Sequence, residues 1–180
     1  MVPSIEERIR PIWRKWNGVI PVWEAERAGI RPDSFRRWAL RNPDATHPRK
    51  GVYMWYPDVP DGEEPDWEYA PVSAELAWAG PDAWLCGPST LETARIGSVG
   101  GIRTSIAVPK RRRPEPGIIW RVTTGRPTTT IAGLPSESIP DALRSSIGLL
   151  DSDKMIEAVR DAWAKGLIDE SERRELEAAV

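Results

Sequence analysis

The sequence predicts an α+β protein of two unlike parts, and three observations carry that prediction. The N-terminal third is rich in apolar residues at helical spacing and closes in a short alternating segment around a turn. An acidic stretch, "YPDVPDGEEPDWE", then combines proline, glycine and carboxylates with no apolar periodicity, as a linker does. Beyond it, alternating and helical segments mix, and the chain finishes in helices. The expected division is a domain over 1–57, an acidic linker over 58–66 and a second α+β domain over 67–180.

In the first part, Ser4 and Glu7 stand at capping-box spacing, and Ile5, Ile9, Ile12, Trp13 and Trp16 follow as one apolar stripe. Pro11 lies inside this pattern and is expected to kink or interrupt the helix. "NGV" stops it. A second helix is expected with Pro21 near its start, Val22, Ala25 and Ala28 packing, and Gly29 ending it. A third opens at Pro32 and ends before Asn42-Pro43, because the residue preceding a proline is pushed out of helical geometry. "ATHPRKGVYMW" then alternates around a turn at "PRKG", the pattern of a hairpin. Three helices, the last two joined by a tight turn, followed by a hairpin, is the order of a winged helix-turn-helix.

In the second part a helix is expected over about 67–79, broken at "AGPDA". "AWLCGPSTLETARIG" supplies a short apolar run and a helix opening at Pro88 and Ser89. "IRTSIAVP", "GIIWRV" and "TTTIAGL" read as strands, giving a small β-sheet. C-terminal helices are expected over about 140–150, 153–165 and 170–179, with Gly166 as a C-cap.

The 180 residues carry a net charge of −2, which conceals strong segregation. Residues 1–57 are at +5, 58–75 at −7, 76–126 at +5 and 127–180 at −5. A nucleic-acid footprint is local, so the acidic balance does not exclude one. The single cysteine, Cys86, excludes a disulfide within the chain, and with the single histidine, His47, it is too little for a Cys/His zinc site. The start lacks an apolar signal region and no run approaches the ~18 apolar residues of a membrane span, so a cytoplasmic protein without membrane partners is expected. Most of the ten tryptophans are expected in the core.

The third helix divides its faces. Phe35, Trp38 and Ala39 share one side, Asp33, Arg37 and Arg41 fall opposite, Ser34 and Arg36 flank them, and Leu40 fits neither side. A recognition helix needs that division, since one face fixes its angle while the other reaches base edges. Arginine suits the task because its planar fork pairs bidentately with guanine O6 and N7. The expected DNA contacts are Arg31, Ser34, Arg36, Arg37 and Arg41 from the helix. His47, Arg49 and Lys50 at the hairpin tip would lie along phosphates. The bland alternatives are a solvated helix and a charged turn. Lys110, Arg111, Arg112 and Arg113 form a basic loop that could be a second phosphate contact, a site for an acidic partner or a solvated run.

Signs of catalysis are few. "GSVGG" leads into a strand, whereas a phosphate-binding loop leaves one and opens a helix. No lysine follows an acid at the two-residue spacing of the common nuclease pattern. Cys86 reads as a buried structural thiol, and Asp151 with Asp153 reads as a helix cap before a metal site. No enzyme, metal or cofactor is expected.

"GVIPVWEAERAGIRPDSFRRWALRN…RKGVYMW" resembles the N-terminal domain of AbiEi-type antitoxins of bacterial abortive-infection, type IV toxin–antitoxin systems. Gly18-Val19, Ala28-Gly29-Ile30, Phe35-Arg36-Arg37 and Gly51-Val52-Tyr53 occupy the family pattern. The resemblance continues through "CGPSTLETARIG", "IRTSIAVPKRRRPEPG", "IAGLPSESIPDALRSSI" and the C-terminal "MIEAVRDAWAKGLIDESERRELEAAV". Pro21 stands where the family often has Thr or Ser, and "RPD" replaces its polar helix cap. The resemblance implies a winged-helix domain that binds double-stranded DNA at its own operon promoter as a repressor. It also implies a C-terminal domain that counteracts a cognate nucleotidyltransferase-type toxin, with or without direct contact. The rival readings are a protein-interaction module and a transcriptional regulator not linked to a toxin.

Overall fold

The structure, a computed structural model, describes residues 3–101 and 103–180. Ile102, which opens the expected strand "IRTSIAVP", lies outside the described residues. The chain is mixed α+β, with a three-stranded and a five-stranded sheet. It divides into two compact units, Met1–Pro81 and Asp82–Val180.

The first unit runs α1 (Ile5–Lys15), β1 (Val19–Pro21), α2 (Val22–Arg27), α3 (Pro32–Arg41), β2 (Ala45–Arg49), β3 (Val52–Trp55), a 3-10 turn (Trp67–Tyr69) and α4 (Ala70–Ala79). Ser4 and Glu7 close the capping box at the start of α1, each side chain bonding the other's backbone N–H. Pro11 does not interrupt this helix. Its ring faces solvent, and burial of Ile9, Ile12 and Trp13 on the opposite side outweighs one lost backbone bond.

Asn17, in the left-handed region, turns the chain after α1, and the Gly18 N–H returns to the Trp13 carbonyl at 2.8 Å. The next three residues form a strand where the sequence suggested only the approach to a helix. β1 pairs antiparallel with β3, Val19 opposite Met54, at the edge of a sheet ordered β1-β3-β2. Pro21 is tolerated because it ends an edge strand. α2 ends in a Schellman turn: Gly29 donates to the Glu26 carbonyl and the buried Ile30 to that of Ala25. Gly29 supplies the positive φ of 78° this turn requires, which sets the short α2–α3 corner.

The expected boundary at 58–66 differs from the observed one. The segment is without regular structure, as its composition suggests, but the chain then packs back onto the same unit. Trp67 lies edge-on to Trp13 at 6.2 Å, Tyr56 stacks on Trp67 at 5.0 Å, and Trp23 Nε1 donates to the Ala77 carbonyl. Asn17 Nδ2 also donates to the buried Ser73 hydroxyl. The break therefore falls after α4, at Pro81.

The second unit runs β4 (Trp84–Leu85), α5 (Gly87–Thr93), β5 (Thr104–Val108), β6 (Ile118–Val122), β7 (Thr129–Ile131), β8 (Leu134–Ser136), α6 (Ile139–Ser146), α7 (Ser152–Ala164) and α8 (Glu170–Ala178). Its sheet is ordered β6-β5-β4-β8-β7. β5 and β6 pair in parallel, as do β4 and β8, while β4–β5 and β7–β8 are antiparallel. "TTTIAGL" is not one strand but the first arm and turn of the β7–β8 hairpin, reversed at Ala132-Gly133, both of positive φ. α6 stops short of 150, because Ile147 is extended and Gly148 has positive φ. The helices enclose a core of Leu91, Ile96, Leu143, Met155, Val159 and Leu176 with their neighbours.

Candidate nucleic-acid interface

α3 is held from beneath by aromatic side chains. Phe35 is fully buried, stacked with Trp38 at 5.4 Å and edge-on to Tyr53 of β3 at 5.0 Å. Trp38 is half-buried and meets Trp55 edge-on at 5.5 Å, while its Nε1 donates to the Glu6 carboxylate of α1 at 3.2 Å. Trp55 in turn meets Trp13 at 5.7 Å, and Trp13 Nε1 donates to the Trp55 carbonyl. One continuous aromatic series therefore joins α3 to α1 and to the hairpin.

The opposite face of α3 is exposed and cationic. Arg31, Arg36, Arg37 and Arg41 are exposed and Ser34 is half-buried. Ser34, Arg37 and Arg41 share one rail, along a shallow groove of about 620 Å³ whose other side includes Ile5, Glu6 and Asp44. Arg36 lies on the flank away from that rail. The Arg37 Nε donates to the Asp33 carbonyl one turn back, at 3.3 Å. Among the described residues no ion pair involves these four arginines, although Glu6 and Asp44 line the same groove.

The hairpin's three expected contacts divide. Lys50 is exposed in the turn. His47 is exposed and stacked on Tyr53 at 4.3 Å, which ties β2 to the aromatic series. Arg49 departs from expectation: it is half-buried, with its guanidinium over the Trp78 ring of α4 at 4.6 Å. It anchors the hairpin to α4 where a phosphate contact was expected. Trp78 is distant in sequence, and nothing local in "HPRKG" announces it.

Lys110, Arg111, Arg112 and Arg113 are exposed in the β5–β6 loop of the second unit, where Trp120 Nε1 donates to the Arg113 carbonyl. The structure does not bring them together with α3 in one unit. Leu40, which the sequence left unassigned, stands 80% exposed on the outward side of α3. Its signal in the sequence was its misfit with the buried stripe.

The remaining chemistry is structural in form. Burial pushes the Cys86 thiol up to about 12, assisted by the nearby Glu137 carboxylate, so it is not a thiolate at neutral pH. Glu137, itself buried, accepts from the Gly87 N–H at 3.0 Å, from the Ser145 hydroxyl at 2.7 Å and from Arg121. Asp151 is the N-cap residue of α7, though its side chain makes no cap bond. Among the described residues no three His, Cys, Asp or Glu side chains converge as a metal site, and no helix is long and apolar enough to cross a membrane.

No family model matches the chain, and no curated protein matches it. Among solved structures it is similar to the RV2827C protein from Mycobacterium tuberculosis, with 15% identity over 99% of this chain and 82% of that one. The TM-score is 0.38, too low for the likeness to bear on fold or function.

Proposed function

We propose that the N-terminal unit is a winged helix-turn-helix that binds double-stranded DNA. The observation that carries this reading is the cationic face of α3, free of ion pairs among the described residues and backed by Phe35 and Trp38. The element order α1-β1-α2-α3-β2-β3 and the sheet order β1-β3-β2 support it, since a hairpin beside an exposed helix suits one groove and its adjoining backbone. In this reading Arg31, Ser34, Arg36, Arg37 and Arg41 face the major groove, and Lys50 with His47 holds the wing on phosphates. Arg49 supports the wing from behind.

The biological role we infer is that of a bacterial antitoxin of the AbiEi type, repressing its own operon and counteracting a cognate nucleotidyltransferase-like toxin. This rests on the sequence resemblance set out above. A mobility-shift titration of the full chain on the DNA upstream of its own gene tests the first step. Salt-sensitive binding that exceeds binding to unrelated duplex of equal length is expected. Equal affinity for both duplexes would count against a repressor. Growth rescue on co-expression with the neighbouring reading frame tests the second step.

A further inference from the structure

The face of α3 that carries Arg36 and Arg37 also carries an aliphatic side chain that the fold does not use. Leu40 is 80% exposed, against 54% for Val122 and Leu149, the next most exposed large apolar residues described. It lies one turn beyond Arg36 and three residues beyond Arg37, while Phe35 and Ala39 on the other side are buried. On that face its helical neighbours are Arg36 and Arg37, four and three residues back, with the exposed Asp33 one turn further. A protein-docking surface wants contiguous apolar area, and a single leucine beside Arg36 and Arg37 does not provide it. A polyanionic surface bearing isolated apolar spots fits better. The major groove of duplex DNA is such a surface, and its apolar spots are the thymine 5-methyl groups.

We propose that Leu40 is a specificity-determining residue that packs on a thymine 5-methyl group. The proposal rests on the reading of α3 as the helix that enters the major groove. The spacing is compatible: three residues of helix advance about 4.5 Å, little more than one base step of about 3.4 Å. Leu40 therefore sits over a base pair one or two steps from a guanine held by Arg37 or Arg36. Hydrogen-bonding side chains fix the guanine, and the leucine distinguishes thymine from cytosine and from uracil in the neighbouring position.

The test uses the full chain and duplexes selected by it from a random library. Each thymine of the selected site is replaced singly by deoxyuridine, which removes the methyl group and leaves every hydrogen-bonding group in place. Wild-type protein should lose about three- to fivefold in affinity at one thymine per copy bound, the size expected for one methyl leaving an apolar contact. Leu40→Ala should bind the thymine duplex more weakly by a similar factor and be indifferent to deoxyuridine at that position. Leu40→Met should retain most of the sensitivity. The exposure of residue 40 means that these variants should melt with the parent. Selection of a site whose affinity ignores every methyl group, or a Leu40→Ala variant as methyl-sensitive as wild type, would overturn the proposal while leaving DNA binding intact. Failure to enrich any duplex would overturn the groove-binding reading itself, and this proposal with it.

Discussion

Arg37 and Lys50 carry the same charge and should answer differently when removed. The Arg37 guanidinium is steered by its bond to the Asp33 carbonyl, so its fork is directed before any partner arrives. Arg37→Ala should cost about 1–3 kcal/mol in binding and relax preference at one base pair, and lysine should not restore it. Lys50→Ala should weaken all duplexes alike and lower the slope of log K against log salt by about one. Titrations on a selected duplex and a scrambled one, at several salt concentrations, separate the two behaviours. Cys86 gives a prediction of another kind. Below about pH 9 the thiol keeps its proton in folded and unfolded chains alike and contributes nothing to pH dependence. Above it the unfolded chain ionises while the folded one, with its thiol raised to about 12, holds the proton, so stability falls as pH rises. Alkaline melting curves should therefore be flatter for Cys86→Ala than for wild type. The native thiol should also resist iodoacetamide until the chain is unfolded.

Elements show where sequence periodicity is enough and where it is not. α1 and α3 were legible because a capping box, a proline at the first helical position and a buried stripe all agree. β1 was not, because three residues ending in proline have no alternation to display, and its partner Val52–Trp55 lies far along the chain. The β7–β8 hairpin was half legible: "TTT" reads as strand, but Pro135 disguises the returning arm. The exposure of the α3 arginines was legible from their spacing against Phe35 and Ala39. The fate of Arg49 was not, since it depends on Trp78 of a helix assigned to the other domain. Gly18 tests how these elements are joined. With φ at 91° and Trp67 Cζ3 2.1 Å from where a Cβ would stand, the position admits no side chain. Gly18→Ala should destabilise the first unit by about 2–4 kcal/mol, combining backbone strain with displacement of the indole. Thermal melts and loss of near-UV dichroism would register it. An unchanged melt would show that Trp67 does not dock there.

For the whole molecule, the informative error of sequence reading was to equate a linker composition with a domain boundary. The acids of 58–66 mark a solvated excursion, and Arg14 even pairs with Glu63 across it. What divides the chain is where aromatic packing stops, and that cannot be seen in a window of local composition. A fragment ending at residue 57 should accordingly be unstable, since it lacks the indole and helix that cover Trp13, Gly18 and Trp23. One ending at residue 81 should unfold cooperatively. Urea denaturation of the two fragments, followed by circular dichroism, distinguishes these outcomes.

The same packing makes the protein optically lopsided. Seven of its ten tryptophans, from Trp13 to Trp78, belong to the first unit, and Trp84, Trp120 and Trp163 to the second. Ultraviolet emission will thus follow mainly the N-terminal half, and an emission trace can look finished while α5–α8 are still changing. Amide signals in the far ultraviolet are needed beside it. Trp38, half-exposed behind the arginines of α3, is the indole best placed to alter its emission when that face is covered.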